Sequence, residues 1–498
     1  MRYDWFLPAE VARYDTALAQ GQPTRLDDAT WSDLELGRYL DHIAAPCSIF
    51  GRQMLYHRLR TGGPAVVPKQ DEAAWQAAPP ALAGLHQVDT EVAALLYVGP
   101  VPQLPAWTRW LGLLAWGLPA AVALWAVAGA AVGGLAVVVA LVLSARAQIA
   151  LHGPMLLWHR QRHALLAMLD AARALANTQN PEPPPWQAEA DTLRNDVQRL
   201  RAALGPAWVE QVPGLADYLN LLALYQYRRF GRELARLQLE VPALQQVYQH
   251  VAGVEADLAV HQHLLQTAMT CVAEPAGARE LDLQGMVHPL VQPAHALSLQ
   301  LQGQGALITG QNGAGKSTLL RTVGLNVVVA RAFGFCYARS ARVPAVTVVA
   351  SLQVEDSLRT ATSLYMAELA RARVLSQAAQ QATPVLVLID EIFRGTNHLE
   401  SVAATAALAH ELAGRALLLL ATHHAVLAPL LADDLQDWCV SLGPEAAQCL
   451  QRGVLAQTNG LAMLADYGFA PQTQANAALV ADWLQGYLAH PTHSPKLG

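Results

Sequence analysis

GALITGQNGAGKST, Gly305 to Thr318, is the stretch on which the reading of this chain turns. Ala306–Thr309 is apolar and β-prone, so it reads as a buried strand. From Gly310 onward the residues Gly310, Gln311, Asn312, Gly313, Ala314, Gly315, Lys316 and Ser317 fit G-x-x-x-x-G-K-[ST] without a gap. The glycines let the backbone curl until successive N–H groups point inward and cradle phosphate oxygens. Lys316 brings a point charge to the β- and γ-phosphates, and the Ser317 hydroxyl is a ligand for Mg²⁺. Thr318 to Arg331 has helical periodicity, so the positive end of a helix dipole faces the same phosphates. A glycine-rich turn followed by a chance Lys-Ser is the bland alternative. The required order of strand, loop and helix argues against it.

Working outward, the chain turns to short apolar strands and helices from about Ala276, the texture of an α/β domain. Val385–Ile389 is an apolar strand ending in Asp390-Glu391. Such a strand is buried on both faces of a parallel sheet and delivers its carboxylates beside the phosphates. Asp390 is the expected Mg²⁺ holder with Ser317, and Glu391 the expected base toward an attacking water. Leu417–Leu420 is another buried strand and ends in Ala421-Thr422-His423-His424. His423 is placed at the γ-phosphate or the lytic water, and the role of His424 is left open. Ser357–Leu369 runs into a helix, which puts Ser363 at its N-terminus. There the serine meets an anion or serves as an ordinary N-cap. Arg394-Gly-Thr-Asn397 follows the carboxylates as a polar loop.

These segments, in this order, resemble the MutS family: HPLV (288–291), TGQNGAGKST (309–318), SLYMAEL (363–369), LIDEIFRGTN (388–397) and ATHH (421–424). The resemblance covers about 276–470, and more weakly 30–60, where DLELGRYL and SIFGRQMLYHRLR are similar to the family's helical core. It implies an ATPase that uses ATP with Mg²⁺, and a homodimer formed through the ATPase domain. Its composite sites would take Ser363 from the opposite subunit. DNA is the partner the family suggests, although no base-reading motif or basic stripe is visible. Gln311 and Gly313 stand where the family usually has Pro and Met, and Ala361 where it has Gly. The core-like stretch begins near residue 30, so the expectation is a variant lacking the mismatch-recognition domain.

At 498 residues the chain accommodates two to four domains. It is 53% hydrophobic and only 14% charged, against about 25% charged in ordinary soluble domains. The net charge of −6 excludes a globally basic nucleic-acid binder. The five cysteines are scattered without a C-x-x-C pair, which points to a reducing compartment rather than zinc or disulfides. No cleaved signal peptide is expected at the N-terminus.

Trp110–Leu143 explains much of the skew: it holds no charged residue and no polar side chain but the indoles. One helix of that length would measure about 50 Å against a hydrocarbon core of about 30 Å. Two spans with a turn near Gly129–Gly134 fit better. Arg109 on one side and Arg146, Arg160 and Arg162 on the other place both flanks in the cytoplasm. The expected location is therefore the inner or cytoplasmic membrane, multi-pass, with the ATPase domain cytoplasmic. A buried helical pair in a soluble core is the alternative.

Residues 151–275 suggest long helices broken at Asn177–Pro185, Pro213-Gly214 and Pro242. The expected plan is a helical, core-like region at 1–105, a transmembrane hairpin at 106–150, a lever-like helical region at 151–275 and an α/β P-loop ATPase domain at 276–498. The function this plan supports is a membrane-anchored ATPase acting on DNA or on a membrane partner. Competing readings are an ABC-type ATPase with a small membrane domain, and an ATP-dependent dimerising scaffold. No LSGGQ-like sequence precedes Asp390, which disfavours the first.

Overall fold

Ala306–Ile308, Leu386–Ile389 and Leu417–Ala421 are continuous runs of side chains buried on both faces, and such runs are stable only inside a parallel sheet. In the computed structural model they are neighbours. The structure describes residues 6–19, 24–64, 75–99, 104–178, 184–311, 313–352, 364–442, 448–455 and 461–489. Two compact units interleave along the chain. One comprises Met1–Gln22, Leu40–Arg58 and Val67–Gln266, the other Pro23–Tyr39, Leu59–Val66 and Thr267–Gly498.

The second unit is α/β. Its strands are β1 (Cys271–Ala276), β2 (Glu280–Met286), β3 (Leu297–Gln302), β4 (Gly305–Gly310), β5 (Phe335–Cys336), β6 (Ser340–Pro344), β7 (Thr347–Ser351), β8 (Val385–Asp390), β9 (Leu417–Ala421), β10 (Leu435–Leu442) and β11 (Gln448–Arg452). They form a five-stranded sheet in the order β3-β2-β6-β1-β5 and a six-stranded sheet in the order β11-β10-β4-β9-β8-β7. In the larger sheet every pairing is parallel except β10 with β11. Leu307, Val387, Ile389, Leu418 and Leu420 meet Leu375, Leu412 and Ala409 from covering helices in one apolar core.

The free edge of β7 is closed by a segment from far away in sequence. Helix Asp28–Asp33 is capped by Asp27, whose carboxylate accepts the Thr30 N–H at 2.6 Å. The Ala350 N–H donates to Thr30 Oγ1 at 2.9 Å, and the Leu352 N–H to Asp33 Oδ2 at 2.8 Å. Arg371 then bridges, donating to Asp27 Oδ2 at 2.7 Å and to the Ala350 carbonyl at 2.9 Å. Side chains thus take up backbone groups that an edge strand leaves open.

The first unit is helical among the described residues. Helices Ala130–Ala176 and Tyr225–Gln266 run 47 and 42 residues, about 70 and 63 Å. Ala164, Leu165, Met168, Leu169, Ala172 and Leu175 recur at helical spacing and are buried. Buried Glu255 accepts from Ser48 N at 2.8 Å, Ser48 Oγ at 2.6 Å and Gly51 N at 2.8 Å, capping helix Ile49–Thr61. The break expected at Pro242 does not occur: Pro242 lies inside Tyr225–Gln266. A helical proline forfeits one hydrogen bond, but Leu244, Val247 and Tyr248 just beyond it are fully buried and hold the helix together.

Leu111–Ala128 and Ala130–Ala176 form a hairpin that turns at Gly129, where φ is 84°. Ala106–Ala128 and Ala130–Ala176 are long and apolar enough to cross a membrane. Their surface is bare of cover: Trp116 is 69% exposed, Val127 88% and Ile149 77%. That is not the burial a soluble helical core gives its members.

Candidate functional site

The carboxyl ends of β4, β9 and β8 lie side by side, and each continues into a chemically distinctive segment. After β4 the chain passes through Gln311, Gly313, Ala314 and Gly315 into helix Lys316–Phe333. Asn312 lies outside the described residues. Gly315 sits at φ 91°, and a Cβ there would fall 1.6 Å from Gln448 Nε2. Gln448, on β11, also donates to the Ala314 carbonyl at 2.9 Å, bracing the loop from the neighbouring hairpin. Lys316 is buried, and its ammonium donates to the Gly310 carbonyl at 3.1 Å and the Gln311 carbonyl at 3.3 Å. Thr318 lies half-buried in the first turn of the helix.

The Ser317 hydroxyl donates to Asp390 Oδ2, joining the start of this helix to the end of β8. Two hard oxygen donors thereby converge, the donor type a Mg²⁺ ion prefers. Burial pushes the Asp390 carboxyl above its ordinary value, with the Ser317 hydrogen bond opposing and the neighbouring Glu391 charge adding to the rise.

Glu391 lies one residue on. Its N–H donates to the Ala421 carbonyl at 3.1 Å, and its Oε1 lies 3.2 Å from His423 Nδ1. The His423 hydrogen bond holds the Glu391 carboxyl below its usual value, against the effect of burial. His424 stacks tilted on His423 at 3.8 Å between centroids and meets His398 edge-on at 4.7 Å. Burial, then the charges of His423 and His398, push His424 down to about 4, so it is neutral at pH 7.

The backbone here is strained: φ is +52° at Glu391 and +63° at Phe393, values that non-glycine residues rarely adopt. Glu368, on helix Leu364–Ala379 and 1% exposed, holds the loop by accepting the N–H groups of Arg394 and Gly395, each at 3.0 Å. Gly395 is required by close approach, since a Cβ would lie 2.6 Å from the Tyr365 backbone nitrogen. Asn397 caps helix His398–Arg415 by accepting the Glu400 N–H at 3.0 Å. The Arg394–Asn397 motif thus has a structural explanation for two of its four residues.

The structure therefore brings together Lys316, Ser317, Asp390, Glu391 and His423. Ser363 lies outside the described residues. Glu368 lies inside the SLYMAEL segment, but nothing in the sequence assigns it a role of its own, and Gln448, a glutamine in a strand, has no local pattern. Only the positive φ values and the glycine at 395 signal that the loop needs an anchor.

A mostly parallel sheet whose strand ends carry a glycine loop, a helix start and paired carboxylates defines an α/β domain. Residues 306–446 match MutS domain V. The proteins named DNA mismatch repair protein MutS from two strains of Thermus thermophilus are each 32% identical over 221 residues, and that from Thermus aquaticus is 32% identical over 222. These alignments cover 43% of this chain and 26% of each relative, so the chain spans about a quarter of the length of the curated relatives it matches. Residues 306–446 of this chain are thus similar to MutS domain V.

Proposed function

We propose that the chain binds ATP with Mg²⁺ at the ends of β4, β8 and β9 and hydrolyses it. The observation that carries this reading is the Ser317–Asp390 pair beside the Glu391–His423 pair. Ser317 and Asp390 would hold Mg²⁺, which supplies positive charge to the phosphates. Lys316 and the N–H groups of the loop and helix start bind the phosphates and keep them in line. Glu391, ionised and oriented by His423, takes the proton of the attacking water. His423 steadies that carboxylate, and by the same contact answers to whatever occupies the site.

The remaining parts rest on the relatives and on the exposed hairpin. The chain acts as a homodimer whose sites take Ser363 from the partner subunit. The hairpin at 110–143 anchors it in the membrane with the ATPase domain cytoplasmic. The relatives' name makes DNA the first candidate for what the cycle acts on. The bare apolar surface at Trp116, Val127 and Ile149 favours a partner at the membrane as the second.

ATP turnover by the purified full chain tests the core of this. Glu391→Gln should keep nucleotide affinity and lose kcat, whereas Lys316→Ala should lose affinity. Equal loss of affinity in both would remove Glu391 from the role of base. Comparing the wild-type rate with and without duplex, branched or mismatched DNA separates the two outputs.

A further inference from the structure

We propose that a pocket at the foot of the apolar hairpin binds the phosphate headgroup of an anionic phospholipid; this rests on the membrane reading above. The pocket, of about 690 Å³, lies between the entry to the hairpin and helix Tyr225–Gln266. Arg109, Arg228 and Arg232 line it together with Tyr227 and Gln238, and no Asp or Glu is among its lining residues.

Three arginines lining one pocket give it a positive charge that no acidic lining residue offsets. The nearby carboxylates are already engaged: Arg229 donates to Glu233 Oε1 at 2.6 Å and pairs with Glu210 Oε1 at 2.8 Å. Trp158 Nε1 donates to the other Glu233 oxygen at 2.8 Å. Among the described residues, Arg109, Arg228 and Arg232 form no ion pair, and all three are exposed. Arg228 and Arg232 are one helical turn apart, so they present a common face. In a chain of net charge −6, a carboxylate-free basic pocket is a local reversal of sign.

The location selects the ligand. Trp110 lies under the Arg109 guanidinium at 5.3 Å, and the exposed apolar surface begins at Leu113, 65% exposed. Leu113 lies four positions after Arg109, across the step from a 3₁₀ turn into the helix, roughly 6 Å along the axis. A tryptophan and an arginine one turn outside an apolar span sit at headgroup depth. A phosphodiester held there would lay its acyl chains along the bare hairpin, which a soluble phosphate cannot do.

The test uses the full chain reconstituted in phosphatidylcholine vesicles with and without phosphatidylglycerol, followed by mass spectrometry of the lipids retained on the protein. Wild-type protein should prefer phosphatidylglycerol. The double variant Arg228→Gln with Arg232→Gln should lose that preference roughly thirty-fold, while Arg236→Gln on the same helix should not. Should the double variant fail to fold, Arg109→Gln carries the test from the other element. An unchanged preference in folded variants overturns the pocket. Displacement of the lipid by inorganic phosphate at similar concentration would assign the site to soluble phosphate, and variant-sensitive binding of duplex DNA would assign it to nucleic acid. Either result overturns the lipid. Release of wild-type protein from phosphatidylcholine vesicles by alkaline carbonate would remove the membrane reading itself. Stable insertion without phosphatidylglycerol preference removes only the pocket.

Discussion

Replacing Glu368 with alanine should disable turnover without disabling nucleotide binding. Glu368 is buried and accepts two backbone N–H groups, from Arg394 and Gly395. Hydrogen bonds to a charged group contribute about 1.5–3 kcal/mol each, so the pair holds the loop by about 3–6 kcal/mol. Against this stands the strain at Glu391 and Phe393, about 1–3 kcal/mol apiece, which a released loop would shed. The two nearly cancel, about 4.5 against about 4 kcal/mol at their midpoints, so the Glu391–His423 geometry is only marginally favoured and depends on Glu368. Without Glu368 the strain of about 2–6 kcal/mol is unopposed, that geometry becomes the minor state, and kcat should fall at least about 30-fold. Nucleotide affinity should change little, because among the described residues Glu368 bonds the loop at Arg394 and Gly395 and not Lys316 or the glycine loop. Glu368→Gln keeps one good acceptor and should fall between. Steady-state ATPase rates and fluorescent-nucleotide titration of the same preparations read both quantities. A kcat within threefold of wild type in a folded Glu368→Ala protein would show that the strained loop is held by something else.

Asp27 offers a pH-dependent check on the closed β7 edge. Burial works against its charge, but the Arg371 hydrogen bond and charge and the Thr30 N–H outweigh it, so its folded pKa lies below the ordinary value. A depressed carboxyl contributes stability that is full above the unfolded pKa of about 3.9 and lost as pH falls through the folded value. The gap in Tm between wild type and Asp27→Asn should therefore be constant from neutral pH to about 5 and close below about 4; a gap that widens in acid would refute the pairing. Mixing Lys316→Ala with Ser363→Ala subunits should restore activity if Ser363 acts across the dimer, since one composite site then carries both lesions and the other neither. No recovery in a verified heterodimer rules that arrangement out. Cysteine labelling at residue 90 and at the C-terminus should report the same side of the membrane, and opposite sides would mean one long span.

Much of the candidate site's placement was legible because its segments are local in sequence. The runs 385–389 and 417–420 became β8 and β9 nearly to the residue, and their terminal Asp390, Glu391 and His423 converge as strand ends in a parallel sheet must. The turn of the hairpin fell at Gly129, at the edge of the expected window. What failed was long-range. Pro242 read as a helix stop because proline forfeits a hydrogen bond, yet the buried residues beyond it outweigh that loss. Nothing in TWSDLEL said that Thr30 and Asp33 serve a strand more than 300 positions away. Such partnerships are set by tertiary proximity, which a polar residue at a helix start does not encode.

The Thr30 and Asp33 contacts also bear on how this unit can be made. Residues synthesised first must wait for β7, so the edge closes only after some 350 residues have left the ribosome. A fragment beginning at Thr267 would contain every strand of the described residues and still carry the Ala350 and Leu352 N–H groups open. Those two groups are a template for a neighbouring molecule's strand, and such a fragment should aggregate where the full chain does not.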